Sequence, residues 1–400
     1  MNNKYQKKSL VCGLLAAVAA LPSGAMAANE DGLIFSGLNR SSAMKSWGLK
    51  AGGWVDTGVT YNANDPEDKS NGPNAYSDRD SELQMNQLYL YLERAVDRSK
   101  NGWDFGGRVD FMFGTDAYKT QAYNHWDAKL ISSENMRFYD LAFPQAYAEI
   151  LAPIGNGLSI KVGHFYTIVG KEGVMAPSNF FYSRNYSFTW AGPFTHTGVL
   201  LNYPINKNFS IDSGAVMGWD NITRDSGAWN YLGGVSWKND RNSTSSSLHV
   251  VTGPWDDSQS ANRTRYTFLF NHDFTPFLHY TFQHDYAFQD EMPQLGGGTA
   301  EWYGINNYLL FDIDDEWSAG LRAEWFRDAD GVRVTQNTRG GPLNGASSYY
   351  AFTGGVNWKP LKWINVRPEV RYDWADDANA YDSGNQSDQF TFATDVILHF

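Results

Sequence analysis

From residue 50 to the end of the chain, apolar and polar side chains alternate in segment after segment, and a period of two commits such segments to β-structure. In Trp363-Ile364-Asn365-Val366-Arg367-Pro368-Glu369-Val370-Arg371-Tyr372-Asp373-Trp374, one face carries Ile364, Val366, Pro368, Val370, Tyr372 and Trp374. The other carries Arg367, Glu369, Arg371 and Asp373. Between Trp103 and Phe113, Trp103, Phe105, Val109, Phe111 and Phe113 oppose Asp104, Arg108 and Asp110. Between Trp317 and Phe326, Arg322 and Glu324 oppose Leu321, Ala323 and Trp325. Pro368 cuts against the pattern, because proline lacks a ladder donor and favours an edge or a bulge. Runs of this kind lie near 50–62, 83–96, 102–115, 143–152, 157–169, 194–203, 208–219, 229–238, 245–254, 264–273, 277–288, 301–312, 316–327, 348–358, 361–374 and 388–400. That makes about sixteen strands.

The connections supply an independent constraint. Counted back from Phe400, they alternate long and short. The long ones are 375–387, 328–347, 289–300, 255–263, 220–228, 170–193, 116–142 and 63–82. The short ones are Lys359-Pro360, Ile313-Asp314-Asp315, 274–276, 239–244, 204–207, 153–156 and 97–101, with the contrast weakest at 239–244. Long loops at one end and short turns at the other describe an all-β, transmembrane, up-and-down antiparallel β-barrel, with turns in the periplasm and loops outside. This parity puts both ends of the barrel in the periplasm and requires an even strand number. Four alternating charges on one strand face cannot meet lipid, where each would cost a few kcal/mol near the midplane, but they suit a watery interior.

Composition agrees. Aromatic residues make up 16% of the chain, and no run of about eighteen apolar residues could form a membrane-spanning helix. A lipid-facing strand surface with aromatic girdles accounts for both facts. A secreted sandwich or propeller accounts for them less well, since no blade-length repeat is visible. Trp317, Trp325, Trp358 and Trp374 read as interface anchors.

The first 27 residues read as a secretory signal: Lys4, Lys7 and Lys8, then an apolar stretch from Ser9 to Leu21, then Ala25-Met26-Ala27 as a cleavage site. Cys12 sits in mid-stretch, whereas a lipoprotein needs its cysteine at the end. It is the one cysteine in the sequence, so the mature chain is expected to hold no disulfide. Residues 28–48 form a periplasmic segment and 49–400 the barrel. The formal net charge of -12, more negative still once the three signal lysines are gone, excludes nucleic acid as a partner. The last segment, from Gln389 to Phe400, alternates and ends on an aromatic, which resembles the closing strand of a bacterial outer-membrane barrel. In those proteins this ending is the signal for assembly. The expected location is the outer membrane of a Gram-negative cell, in contact with lipid and lipopolysaccharide.

Two stretches are more specific. Met85-Asn86-Gln87-Leu88-Tyr89-Leu90-Tyr91-Leu92-Glu93-Arg94-Ala95-Val96 is one, and the other runs from Gly163 to Gly198, GHFYTIVGKEGVMAPSNFFYSRNYSFTWAGPFTHTG. Both resemble the beta-barrel porin-2 (OmpL-like) family of bacterial outer-membrane proteins, with a likeness running from about residue 50 to the end. The resemblance implies a channel-forming barrel with no prosthetic group and no catalytic residues.

Two sets of residues are candidates for function. Segment 170–193 is too long for a simple turn and unusually aromatic, with Phe180, Phe181, Tyr182, Tyr186, Phe188 and Trp190 beside Lys171, Glu172 and Arg184. A loop left in solvent does not need so many rings. It is expected to fold inward and narrow the interior, with Lys171, Glu172, Phe180, Phe181, Tyr182 and Arg184 at the constriction. The alternative is an outer cap or a subunit contact. The second set is the inward charges: Arg108, Asp110, Glu149, Arg322, Glu324, Arg367, Glu369 and Arg371, with Asp56 and Asp104 on the same faces. They either line the path and select solutes by charge or pair with one another and hold the wall in shape. The net negative charge points to a mild cation preference, although much of it lies in loops such as Asp65-Pro66-Glu67-Asp68 and Asp376-Asp377.

Those acidic loops lack the ligand spacing of an EF-hand. No H-E-x-x-H and no G-x-S-x-G is present, and His284 and Asp285 fall on opposite strand faces. No metal, cofactor or enzymatic activity is therefore expected. The first expectation for function is a porin: a water-filled channel for passive diffusion of small hydrophilic solutes. A sugar-type selective channel is its variant, and an adhesin acting through its loops is the reading from another class. A receptor with an energy-coupling plug is disfavoured, since only about twenty mature residues precede the first strand. Analogy with other sixteen-stranded porins, many of them trimers, points to a homotrimer.

Overall fold

A computed structural model describes residues 34–100, 102–122, 127, 138–223, 227–255, 261–337, 339 and 341–400. The signal segment, 1–27, lies outside the described residues. The strands are β1 (Lys50–Asn62), β2 (Leu83–Arg94), β3 (Asp104–Gly114), β4 (Asp140–Ala142), β5 (Ala146–Ala152), β6 (Leu158–Tyr166), β7 (Thr195–Pro204), β8 (Phe209–Val216) and β9 (Asn230–Lys238). They continue as β10 (Thr244–Pro254), β11 (Asn262–Thr275), β12 (Leu278–Met292), β13 (Gly298–Asp312), β14 (Trp317–Asp328), β15 (Ser347–Leu361), β16 (Ile364–Ala375) and β17 (Asp388–His399). Each pairs antiparallel with its neighbours in sequence, except that β4 and β5 both pair with β3 and together fill one place. The result is a closed barrel of sixteen strands. Closure is by β17 on β1, from Trp54↔His399 to Asn62↔Thr391. The backbones of Phe400 and Gly53 exchange two hydrogen bonds of 3.0 Å at the rim. Closing the sheet leaves no unpaired edge, which is what lets strands cross lipid.

The period of two is realised as an inside and an outside. Phe105, Val109, Leu321, Phe352, Val370 and Phe392 point outward and are exposed, while Asp110, Arg322, Thr353, Arg371 and Asp395 on the same strands are buried inside. Aromatic rings gather at two levels of the outer surface. Trp317 stacks on Trp358 at 5.5 Å near the short turns, and Tyr350 stacks on Trp374 at 5.0 Å near the long loops. The upper tyrosines hydrogen-bond to acids beyond the rim, Tyr350 to Asp376 at 2.9 Å and Tyr372 to Asp388 at 3.1 Å. Tyr350 and Trp358 are eight residues apart on β15, about 26 Å along the strand and ~20 Å along the membrane normal at a tilt near 40°. Rings with an apolar body and a wet tip belong at such levels.

Connections differ from the sequence reading in several places: β4 falls inside the expected loop 116–142, and the turn expected at 274–276 narrows to 276–277. The connection expected at 289–300 shrinks, because β12 runs on to Met292 and β13 starts at Gly298. The ladder continues past a bulge to Met292↔Gly298. Asp290 and Glu291 look like a loop in sequence, but above the lipid band charged residues no longer stop a strand. The turn expected at Lys359-Pro360 falls instead at 362–363, since β15 extends to Leu361. Pro368 occupies a central strand facing outward. Its pairing with β15 lapses between Gly355↔Glu369 and Trp358↔Val366, while Pro368↔Thr394 continues on the β17 side.

Before the barrel, two short helices, α1 (Ser36–Asn39) and α2 (Ser42–Trp47), are tied to β1. Asn39 donates Nδ2 to the Ala51 carbonyl at 2.8 Å and accepts the Ala51 N–H at 2.9 Å.

Candidate functional site: the loop inside the barrel

The segment between β6 and β7, residues 167–194, leaves the rim and packs against the inner wall. It uses one short turn at Ala176–Ser178 and one wide turn at Ser187–Ala191. Its polar backbone groups need partners once water is gone, and the wall's charged side chains provide them.

Arg367 on β16 gives Nη1 to the carbonyls of Ala176 and Asn179, at 3.0 and 2.8 Å. It is held in turn by Asp395 on β17, Nε to Oδ1 at 2.9 Å. Glu369, two residues on, accepts the N–H groups of Tyr182 and Ser183 at 2.9 and 3.1 Å. Arg371 donates to the Arg184 carbonyl at 3.1 Å and to Glu324 on β14 at 2.9 Å. Arg322 donates Nη1 to Glu172 at 2.8 Å and to the Ser183 carbonyl at 2.9 Å, and its Nε to Glu324 at 2.7 Å. Glu324 also accepts the Tyr186 N–H at 2.9 Å. A charge alone inside a barrel is costly, but here each cation meets carboxylates and each carboxylate meets donors, which is the condition for burying both.

The constriction candidates fall in different places. Glu172 is pinned by Arg322 and by the Tyr308 hydroxyl at 2.9 Å. Lys171 hangs its backbone N–H on Gln283 at 3.0 Å. Phe180 and Phe181 form an edge contact at 4.9 Å between ring centroids. The Tyr182 hydroxyl donates to Asn86 on β2 at 3.0 Å. Arg184 folds back onto the carbonyls of its own loop, Phe181 and Tyr182, at 3.1 and 2.7 Å. Room for the loop comes partly from glycine: a Cβ at Gly58 would meet the Tyr182 ring at 2.5 Å, and one at Gly320 the Phe180 ring at 2.5 Å.

Arg322, Glu324, Arg367, Glu369 and Arg371 are each at most 6% exposed. They sit beneath the loop rather than in open water. Arg108 on β3 and Glu149 on β5 are half-buried, and Arg108 reaches the loop only at the Met175 sulfur, 3.8 Å away. Arg108 donates to Asp110 at 2.7 Å and to Glu93 at 3.3 Å and lies over the Tyr91 ring, while Glu149 accepts from Ser159. Asp110, fully buried, also accepts from Gln145 at 2.7 Å. Asp56 is buried in the wall on β1, and Asp104 takes Arg94 at 2.9 Å.

The same wall carries inward groups not singled out from the sequence. Lys161 on β6 lies over the Tyr147 ring at 4.4 Å. Asp212 on β8 accepts from Asn202 at 2.9 Å and faces His249 at 3.3 Å. Each interrupts an apolar run, Ile160-Lys161-Val162 and Phe209-Ser210-Ile211-Asp212, so the period-two rule already places it inside. Most of the loop's hydrogen bonds to wall side chains among the described residues go to β2 and β12–β16. On the other strands His196 meets the Thr167 hydroxyl and Arg108 reaches only the Met175 sulfur, at 3.8 Å. The barrel is thereby divided into a loop-covered side and a side faced by Glu149, Lys161 and Asp212, with Arg108 at the boundary.

A closed antiparallel barrel with a polar inner face, an apolar outer band, aromatic girdles and a loop packed inside defines a β-barrel channel of the outer membrane. The chain belongs to the family described as "Putative beta-barrel porin-2, OmpL-like", whose model matches residues 48–400. It is an outer-membrane porin. No curated protein sequence matches it.

Solved structures share the fold at low identity. An anion-selective porin from Comamonas acidovorans is 12% identical with a TM-score of 0.58, over 88% of this chain and 99% of that one. OprB of Pseudomonas putida is 11% identical with a TM-score of 0.57, over 90% and 96%. OmpT of Vibrio cholerae, in trimer form, is 9% identical with a TM-score of 0.55, over 88% and 99%. Family and fold point to a channel rather than an enzyme.

Proposed function

We propose that this porin passes small hydrophilic solutes by passive diffusion, along the side of the barrel that loop 167–194 leaves uncovered. The single observation that carries the reading is the division of the wall. Arg322, Glu324, Arg367, Glu369 and Arg371 are consumed in holding the loop, while Arg108, Glu149, Lys161 and Asp212 keep partial exposure. The loop sets the width of the path, with Phe180, Phe181 and Tyr182 as its bulk and Lys171, Glu172 and Arg184 as its fixed charges. Basic and acidic groups alternate on the exposed side, so the path favours dipolar and neutral polar solutes over bulk apolar ones.

The signal at 1–27 exports the chain, residues 28–48 stay in the periplasm, and the aromatic girdles meet lipid and lipopolysaccharide. By analogy with Vibrio cholerae OmpT in its trimer form, the chain assembles as a homotrimer. Liposome swelling tests the reading. Vesicles carrying the purified protein should swell in isotonic solutions of small sugars and amino acids, and vesicles that fail to swell would contradict it.

A further inference from the structure

On the outer side of the inner loop, loops from around the rim meet at a cavity of about 280 Å³. Three cations line it: Lys119, Arg263 and Arg333. Three indole rings, those of Trp190, Trp219 and Trp255, share the lining. Cations and rings are interleaved. Lys119 Nζ is 4.8 Å from the Trp190 ring, and the Arg263 guanidinium is 4.9 Å from Trp219 and 3.1 Å from Trp255. Arg333 is fixed by donating Nε to the Trp190 carbonyl at 2.8 Å and lies 4.8 Å from the Trp302 ring.

Among the described residues, the one carboxylate of the lining is Asp220. Its Oδ1 accepts the Phe194 and Thr195 N–H groups at 2.9 and 2.8 Å, so it ties down the end of the inner loop. The cavity is thus rich in positive charge and in donors. Two more donors are unused: the indole N–H groups of Trp190 and Trp219 have no acceptor among the described residues. Those side chains are only 6% and 3% exposed. Buried donors normally find an acceptor, and a ligand oxygen seated among these rings would supply one.

We propose that this outer cavity is a recognition site for a carboxylate carried on a ring, either a sugar acid or an aromatic acid. Lys119 and Arg333 hold the carboxylate, and the indoles supply flat faces for the ring and donors for its oxygens. Charge and ring are both needed: cations alone would take any anion, and faces alone would take any sugar. Burial first, and then neighbouring Arg333, bring the Lys119 ammonium down to about 8. An anion placed beside it therefore keeps it charged, and affinity falls as the pH rises above that value. The inference rests on the channel reading only in placing the cavity on the solute's route, and its test needs no conduction.

The experiment is calorimetric titration of the purified full chain in detergent micelles at pH 7. Glucuronate and benzoate are the ring acids; glucose and inorganic phosphate are the controls. At least one ring acid should bind at least ten times more tightly than both controls, and the better of the two identifies which ring the site takes. Lys119→Gln should weaken that binding tenfold or more, and Trp219→Phe, which keeps the ring and removes the donor, severalfold. Heat-modifiable electrophoretic mobility checks that each variant is folded, and if one fails to fold the other carries the test. Glucose or phosphate binding as tightly as the ring acids, no saturable binding by any of the four, or unchanged affinity in the folded variants would each overturn the proposal.

Discussion

Arg322 on β14 and Glu172 in the inner loop meet at 2.8 Å across 150 residues of sequence, with side chains 0% and 5% exposed. This pair joins loop to wall at a cluster with three other carboxylate–guanidinium contacts, Arg322–Glu324, Arg371–Glu324 and Arg371–Asp373. Removing one partner from a buried pair leaves the other uncompensated, at a cost of about 3–5 kcal/mol. Arg322→Met should therefore lower the midpoint of denaturant unfolding in micelles markedly. Arg322→Met combined with Glu172→Gln should recover part of the loss, because the stranded charge is then gone.

Glu369 accepts two adjacent backbone donors, Tyr182 and Ser183. Glu369→Ala leaves both unsatisfied, at about 1–3 kcal/mol for each buried group. The loop should loosen more than the barrel does. Single-channel recordings should show larger and noisier currents, while the far-ultraviolet dichroism of the strands stays unchanged.

Lys161 stands on the side the loop does not cover. Lys161→Glu reverses one charge on the proposed path and should move the reversal potential in a KCl gradient toward cation selectivity. Asp212→Asn should move it toward anions. A reversal potential indifferent to both would place the ion path elsewhere.

Asp116 lies just beyond the end of β3, wholly buried, and burial pushes its carboxyl up to about 7. Gln87 and Asn86 donate to it at 2.8 and 3.1 Å. The folded state thus binds a proton more tightly than the unfolded chain does. This contribution to stability is fully present below about 4, the unfolded carboxylate range, and is lost as the pH rises through about 7. Unfolding free energies measured between pH 5 and 8 should fall more steeply for the native chain than for Asp116→Asn.

The strands were legible because lipid on one side and polar groups on the other impose a strict period of two, and all the segments read from it overlap strands. Loop lengths were legible except where charges beyond the lipid band hid the extension of β12 and β13. The candidate residues were placed on the right face for the same reason: Arg367 and Glu369 could only point inward. What covers them was not readable locally. Arg322 meets Glu172, and Arg371 meets Arg184, only after the barrel has closed and the loop has turned in, and no short-range pattern encodes a contact across 150 residues. Lys161 and Asp212 obey the same period and were passed over, although Glu149, equally alone on its strand, was not.

The central claim is that loop 167–194, pinned by Arg322, Arg367 and Glu369, sets the width of the path. Single-channel conductance of a chain lacking residues 174–188, compared with the native chain in the same planar bilayer, tests it most directly. The account predicts a clearly larger unitary conductance, together with a weaker response of the reversal potential to Lys161→Glu because a wider path screens it. A deletion variant that folds and inserts with native conductance would contradict it.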